Sequence, residues 1–307
     1  MRFKWILLLT ALYSVSEVSG TGITGNLSSA GTGKNSFISG DLIIGLRGGI
    51  NFSQPIVIHG SEVIQGYDPA SPTEKDYGPI FANIGYHYAF VFMFYLKESL
   101  SLSIEPAFAD YTYRYELTSG WTNGTDPTDY IEYSGLHKNS ISYLELPVVL
   151  RYEFRVNKLQ PFLSLGLTYG FKINAMKTLE SSVTRNTGAV SIPYENTTQS
   201  STNSSSYIHS RIGIAPGIGF FYPLGPVKLM VSADFNFGLN NITDESNRYA
   251  NSSVSAGMYD VQDDLRLGVL NFTVGVLFNT GNNNGSSGGS RKGGKAVECI
   301  TFKNKRK

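Results

Sequence analysis

The residues able to do acid–base or nucleophilic chemistry are few and scattered. The four histidines are His59, His87, His137 and His209. None sits in a metal-binding pattern such as H-E-x-x-H. His59 and His137 fall in polar stretches that read as loops, His87 and His209 in or beside strands. A hydrolytic serine needs a histidine within reach and an acid to orient it. His209 and Ser210 are adjacent, so on a strand they point to opposite faces. The run Asp260-Val261-Gln262-Asp263-Asp264 carries carboxylates that calcium could use, but without the glycine and ligand spacing of an EF-hand loop. A solvated acidic rim is the favoured reading. Cys299 is the single cysteine, which leaves no internal disulfide framework. No catalytic, cofactor-binding or metal site is therefore expected, and the chain does not read as an enzyme.

Charged residues do occur at regular positions, and those positions belong to strands. Ser142 to Phe171 reads SYLELPVVLRYEFRVNKLQPFLSLGLTYGF. Before the turn, Leu144, Leu146, Val148, Leu150, Tyr152 and Phe154 share one face, and Glu145, Val149, Arg151 and Glu153 the other. After Arg155-Val156-Asn157-Lys158 the apolar set moves to odd numbers: Leu163, Leu165, Leu167, Tyr169 and Phe171. The opposite set is Ser164, Gly166, Thr168, Gly170 and Lys172. An even-length turn requires that flip if one face of the hairpin is to stay apolar.

The same alternation recurs along the chain. Strands are expected over about 41–52, 80–96, 100–108, 142–154, 161–171, 208–222, 227–237 and 265–278, which makes eight. Short turns at Lys97-Glu98, Arg155 to Lys158 and Pro223 to Pro226 join some of them. Long polar stretches over 53–78, 116–139, 174–206 and 240–263 join the others. Short turns at one end and long loops at the other are the signature of an outer-membrane barrel. Strands of about 9–11 residues cross the hydrocarbon layer at a ~45° tilt. Closure is required, because an open sheet edge in lipid leaves backbone groups unpaired.

An eight-stranded soluble barrel with a ligand in its middle would show the same period. Three features favour the membrane reading, with the apolar face outward. One is the loop asymmetry. Another is the wealth of glycine and small residues on the opposite face. The third is that this face also carries Arg47, Glu105, Glu145, Arg151, Glu153, Lys172, Arg211, Lys228 and Asp234. On a lipid face each Lys or Arg near the midplane would cost about 2–4 kcal/mol; inside, the two signs can pair. Eight strands leave room for side chains rather than an aqueous channel. A plugged lumen follows, not a diffusion porin.

Composition agrees. Charged residues are 16% of the 307, with 33 Gly, 19 Tyr and 18 Phe, against about 25% charged in a soluble domain. A formal net charge of +1 excludes wholesale nucleic-acid binding. Met1-Arg2-Phe3-Lys4, the apolar run Trp5 to Tyr13 and the small residues to Gly20 read as a secretory signal peptide over 1–20. A flexible leader follows over 21–39, then the barrel over 40–278, then a Gly/Asn/Ser linker and basic tail over 279–307. Phe272, Val274, Val276 and Phe278 close the last strand as an internal barrel-assembly signal. Tyr111, Tyr113, Tyr115, Tyr130, Tyr133 and Trp121 are expected to form the interfacial aromatic girdle.

GLRGGINFS (Gly45 to Ser53), YLELPVVLRYEF (Tyr143 to Phe154) and PFLSLGLTYGF (Pro161 to Phe171) resemble the PorT-like outer-membrane β-barrel domain, over about residues 40–278. That resemblance implies a small eight-stranded barrel of a Gram-negative outer membrane, in most members without an assigned activity. Its namesake serves type IX secretion. The expected role is structural, or that of an accessory subunit of an envelope or secretion complex. The alternative is a surface receptor or adhesin using the long external loops. Both termini would be periplasmic. Expected partners are outer-membrane lipid and lipopolysaccharide, the barrel-assembly machinery, and an envelope complex met through residues 291–307.

Overall fold

The computed structural model describes residues 42–61, 75–123, 125–154, 158–188, 190–202, 204–248 and 261–280. The expected signal peptide, the leader, Arg155 to Asn157, Asp260 and the tail with Cys299 lie outside the described residues. Among the described residues, twelve strands form one antiparallel sheet. They are β1 (Leu42–His59), β2 (Lys75–Asp76), β3 (Ile84–Lys97), β4 (Leu100–Ile104), β5 (Ala107–Asn123) and β6 (Asp126–Glu153). The chain continues with β7 (Gln160–Thr187), β8 (Val190–Pro193), β9 (Thr197–Thr202), β10 (Ser210–Leu224), β11 (Val227–Gly238) and β12 (Asp264–Asn279).

The ladders run round a circuit. β1 pairs with β3, β3 with both β4 and β5, and those two with β6. β6 then pairs with β7, β7 with β10, β10 with β11, β11 with β12, and β12 with β1. The count exceeds the expected eight for two reasons. Pro106 splits the third expected strand into β4 and β5, because proline has no N–H to give a ladder. Its carbonyl still accepts from the Phe90 N–H, and the Glu105 N–H donates to the Pro147 carbonyl, so the break is bridged on both sides. The remaining extra strands, β2, β8 and β9, lie along β5 and β7 beyond the circuit.

The polar stretches over 116–139 and 174–206 are therefore strand rather than loop. β5 and β6 stay paired out to Asn123 and Asp126, and β6 and β7 out to Asp129 and Thr187. At the other end the connections are tight. β10 and β11 are joined by Gly225-Pro226 alone, with Gly225 at φ +64, the left-handed position that hairpin turns reserve for glycine.

Side-chain direction settles which face is inside. Leu144, Leu146, Val148, Leu150, Tyr152 and Phe154 are all exposed on the outer surface, as are Leu163, Leu165, Leu167, Tyr169 and Phe171. Glu145, Val149, Arg151 and Glu153 are buried within. The apolar-outward expectation for the hairpin holds at every one of these positions. Higher on β7 the parity changes. Tyr143 pairs with Lys172 and Ser142 with Asn174, so Ile173 is an extra residue with no partner opposite it. Such a bulge moves every later side chain to the other face: Ala175, Lys177 and Leu179 are buried where Phe171 is exposed.

The aromatic cluster takes a different place from the expected girdle. Tyr111, Tyr113 and Tyr115 are at most 3% exposed and Tyr133 is 7% exposed. Tyr111, Tyr113 and Tyr115 share parity with Ala107 and Ala109 on β5, and Tyr133 with His137 and Ile141 on β6, so alternation turns all four inward. Of the five tyrosines only Tyr130 stands exposed on the outside.

Candidate functional site

The interior is filled in three layers, and the charged one lies between two packed ones. Nearest the tight turns, Ile43, Val91, Met93, Tyr95, Phe162, Phe221, Met230 and Leu277 form an apolar cluster. Toward the long strand extensions, a second cluster gathers Tyr111, Tyr113, Tyr115, Ile141, Tyr143 and Tyr207 with Leu265, Leu267 and Val269.

Between them charges from β1, β6, β10, β11 and the residue after β4 pair, and a further pair, Lys228–Glu153, sits within the turn-side cluster against Tyr95 and Phe221. Glu105, fully buried just past the end of β4, receives two cations. Arg47 Nε lies 3.0 Å from its Oε2, and the Arg151 guanidinium meets its Oε1. Arg47 also lies 3.8 Å from Asp234. Arg211 meets Glu145 at 3.1 Å and donates to the Asn236 Oδ1 at 3.1 Å and the Leu267 carbonyl at 3.2 Å. Lys228 meets Glu153 at 2.9 Å, and Tyr95 donates its hydroxyl proton to the same carboxylate at 2.5 Å. The four cations Arg47, Arg151, Arg211 and Lys228 thus face the four carboxylates Glu105, Glu145, Glu153 and Asp234. Burying charge is tolerable only with such pairing and added hydrogen bonds. Cross-strand geometry makes it possible here. Arg47, Glu105, Arg151 and Asp234 project from different strands toward one axis, and glycines leave room beside them. A Cβ on Gly275 would come within 3.0 Å of the Arg47 Cβ.

Of the nine residues expected to line the interior, eight come together in this network. Lys172 stands apart. It is half-buried one residue below the Ile173 bulge, and its ammonium donates to the carbonyls of Ser204 and Tyr207. Phe272, Val274 and Phe278 face outward from β12, with Val276 half-buried on the same face.

Several interior residues escaped sequence reasoning. Asn51 donates to the Tyr86 and Asp110 carbonyls at 3.0 Å each, and Asn271 to Asp234 at 2.7 Å. Lys177 donates to the Tyr115 hydroxyl at 2.8 Å, and the His137 ring stacks on Tyr115 with centroids 4.8 Å apart. Alternation had already put Asn51 and Asn271 on the inward parity. Lys177 and His137 lie in stretches that read as loops, and only a strand assignment would have placed them. Of the other histidines, His87 is buried on β3, and His59 and His209 are exposed.

The acidic run near 260 is not a solvated rim. Asp263 accepts from Lys75 Nζ at 2.9 Å, Tyr77 Oη at 2.6 Å and the Ser61 N–H at 2.7 Å. Asp264 pairs with Arg248 and accepts from Asn241 at 3.1 Å. Both carboxylates are buried, 4% and 7% exposed, because they tie β2 and the segment before β12 together over the tyrosine layer.

Comparison with known proteins gives a family. Among solved structures, the chain is similar to the Neisserial surface protein A, with 12% identity, 76% of this chain and 96% of that one covered, and a TM-score of 0.29. It is similar to the outer membrane protein OprG of Pseudomonas aeruginosa, with 11% identity, 79% and 96% covered, and a TM-score of 0.35. It is also similar to Ail, the attachment invasion locus protein of Yersinia pestis, with 13% identity, 78% and 100% covered, and a TM-score of 0.27. No curated protein matches. The family model for the outer membrane protein beta-barrel domain matches residues 32–244. With most of the chain matched, and an antiparallel sheet carrying its apolar side chains outward, this protein belongs to the outer membrane β-barrel domain family and is an outer-membrane protein.

Proposed function

We propose that the chain is an eight-staved transmembrane barrel with a plugged lumen, in which β4 and β5 share one stave. Its role is non-enzymatic, as a structural or accessory subunit of an envelope or secretion complex. The closed circuit of ladders supports the stave count. The observation that carries the plugged-lumen reading is the pairing of all four buried cations with carboxylates, Arg47, Arg151 and Arg211 between two packed layers and Lys228 within the turn-side one. With the net charge of these groups cancelled in pairs, the lumen presents no ring of one sign to draw an ion through.

The outward apolar run on β6, from Leu144 to Phe154, spans roughly 34 Å of strand at ~3.4 Å per residue. At a ~45° tilt that is about 24 Å of height, which fits the ~25 Å apolar band of such barrels. In this reading the tight turns and both termini are periplasmic, and the β5–β9 extensions stand outside the cell. Membership of the PorT-like group is part of the proposal and rests on Gly45 to Ser53, Tyr143 to Phe154 and Pro161 to Phe171. So are the assembly-signal role of Phe272 to Phe278 and contact with an envelope complex through residues 291–307.

The test is removal of residues 281–307. The truncated protein should still migrate as a heat-modifiable species in the outer-membrane fraction, and should lose partners that co-purify with the full chain in native pull-downs. Failure to insert would overturn the internal assembly signal. Unchanged partners would overturn the tail as the contact.

A second reading, a surface receptor, is favoured by the extension itself. On one of its faces Trp121, Tyr133, Ile192 and Tyr194 share parity with a two-pronged Arg185–Asp129 pair at 2.9 Å on both prongs. Ligand capture by whole cells that is lost on trimming residues 118–134 would support it over the accessory role.

A further inference from the structure

A cavity of about 20 Å³ lies within the charged layer, lined among others by Arg47, His87, Arg151, Asp234 and Asn271. Besides Arg47 Nε, which lies 3.0 Å from the Glu105 carboxylate, three buried atoms of these side chains, Arg151 Nε, His87 Nδ1 and Asn271 Oδ1, have no hydrogen-bond partner among the described residues. Their side chains are at least nine-tenths buried: Arg151 and His87 are 2% exposed and Asn271 is 4% exposed. The amide of Asn271 is oriented by its bond to Asp234. A carboxylate only accepts, so the nitrogen faces Asp234 and the oxygen is the atom left over.

These leftovers differ in kind. Arg151 Nε carries a proton to give, and Asn271 Oδ1 has lone pairs to receive one. A cation would serve only the oxygen, and an anion only the guanidinium. The charge lining the cavity is balanced, Arg47 and Arg151 against Glu145 and Asp234, so either ion would enter as an uncompensated charge. A neutral molecule that both donates and accepts meets every requirement. The volume admits one water, at most two, since a water needs about 10–15 Å³ on this measure and two to four polar partners. Apolar Phe162, of the turn-side cluster, and Val149 and Ala215 also line the space.

We propose that this chamber is a built hydration site, occupied by one water or a hydrogen-bonded pair that bridges Arg151 Nε, Asn271 Oδ1 and His87 Nδ1. The site takes water and rejects monovalent ions. The polar lumen is thus completed by solvent without becoming a conduction path.

Crystals of the detergent-solubilised protein, with parallel bromide and rubidium soaks, test this. Expected is an ordered oxygen at about 2.7–3.2 Å from Arg151 Nε and Asn271 Oδ1, with no anomalous peak in the chamber. An anomalous peak, or a dry chamber, overturns the proposal. In solution, water-selective cross-relaxation to the His87 ring should be seen in wild type and should vanish in Asn271→Leu, which removes the acceptor and fills the space. Persistence of that signal in a heat-modifiable Asn271→Leu barrel would also overturn it. The wild-type crystal result stands even if the variant fails to fold.

Discussion

β6 and β7 each pass through two environments, and their side chains reverse meaning between them. Below Tyr143, the outward residues of β6 are Leu144 to Phe154 and the inward ones are Glu145, Arg151 and Glu153. Above it, the outward residues are Ser142, Ser140, Lys138, Leu136, Ser134 and Glu132, polar but for one, and the inward ones include Ile141, Asn139, His137 and Tyr133. The lower segment is greasy outside and charged inside. The upper one is polar outside, with aromatic and apolar residues inside, as in a water-soluble sheet. On β7 the change falls at the Ile173 bulge. One pair of continuous strands is therefore written for lipid below and for water above, and the ladder runs unbroken through the change apart from that bulge.

The largest expected consequence is at the buried carboxylate. Glu105→Ala strips Arg47 and Arg151 of a shared partner and should destabilise the barrel by about 3–5 kcal/mol, the usual cost of leaving a buried charge uncompensated. Its counterpart in the upper segment is the Lys138–Glu180 pair, nearly half exposed on both sides. Glu180→Ala should cost at most about 1 kcal/mol. Urea-dependent folding into lipid vesicles measures both, and equal losses would erase the distinction between the two segments.

Next is the outward face. Leu167 is 61% exposed near the middle of the apolar band, and Leu167→Arg should cost about 2–4 kcal/mol in a bilayer. Thr178→Arg lies on the same outer face above the bulge and should be tolerated within about 0.5 kcal/mol. If both are tolerated, the lower band does not meet lipid.

Deleting Ile173 sharpens the boundary itself. Lys172 would then be followed directly by Asn174 in an unbulged ladder, so Ala175, Lys177 and Leu179 should stay inward and the 174–187 segment should resist limited proteolysis as in wild type. Heat-modifiable migration, which reports the lower ladders, should persist.

The smallest effect concerns acid. The carboxyl of Asp244 is held below its ordinary value of 3.8, first by its hydrogen bond from the Ser246 side chain and then by that from Asn247. A depressed carboxylate pKa stabilises the fold above the unfolded value and loses that contribution as pH falls through the folded one. The 3-10 turn Glu245–Asn247, capped by Asp244, should therefore fray below about pH 4. Hydrogen exchange at Ser246 and Asn247 should quicken there, with no change in exchange on β12.

The same reversal explains what the sequence disclosed and what it hid. In the lower segment the alternation is Leu against Glu or Arg, a contrast visible at single-residue resolution, so the hairpin faces and eight of the nine interior charges were legible. In the upper segment the contrast is Tyr against Ser or Thr, and short polar residues such as Ser134, Ser140 and Ser182 carry the propensities of turns. Strand pairing wins there because both neighbours continue. Tyr111, Tyr113 and Tyr115 misled by residue type: tyrosine near a membrane boundary favours the interface, but position along β5 already fixed their direction. The Ile173 bulge gave no local signal, since neither glycine nor proline marks it.

The bulge and the strand extension above it also bear on how the protein reaches its place. In the proposed orientation the growing barrel starts on the periplasmic side, and everything from Ile173 to Thr187 with its neighbours must be delivered across the bilayer. That cargo includes Lys177, His137 and the Arg185–Asp129 pair, and its outward face is mostly polar, broken by Met176 and Leu136. Once the extension has emerged and closed around its tyrosines, the same polar surface becomes a barb that opposes withdrawal. The protein would then be held in the outer leaflet as much by the difficulty of going back as by the depth of its lipid contacts.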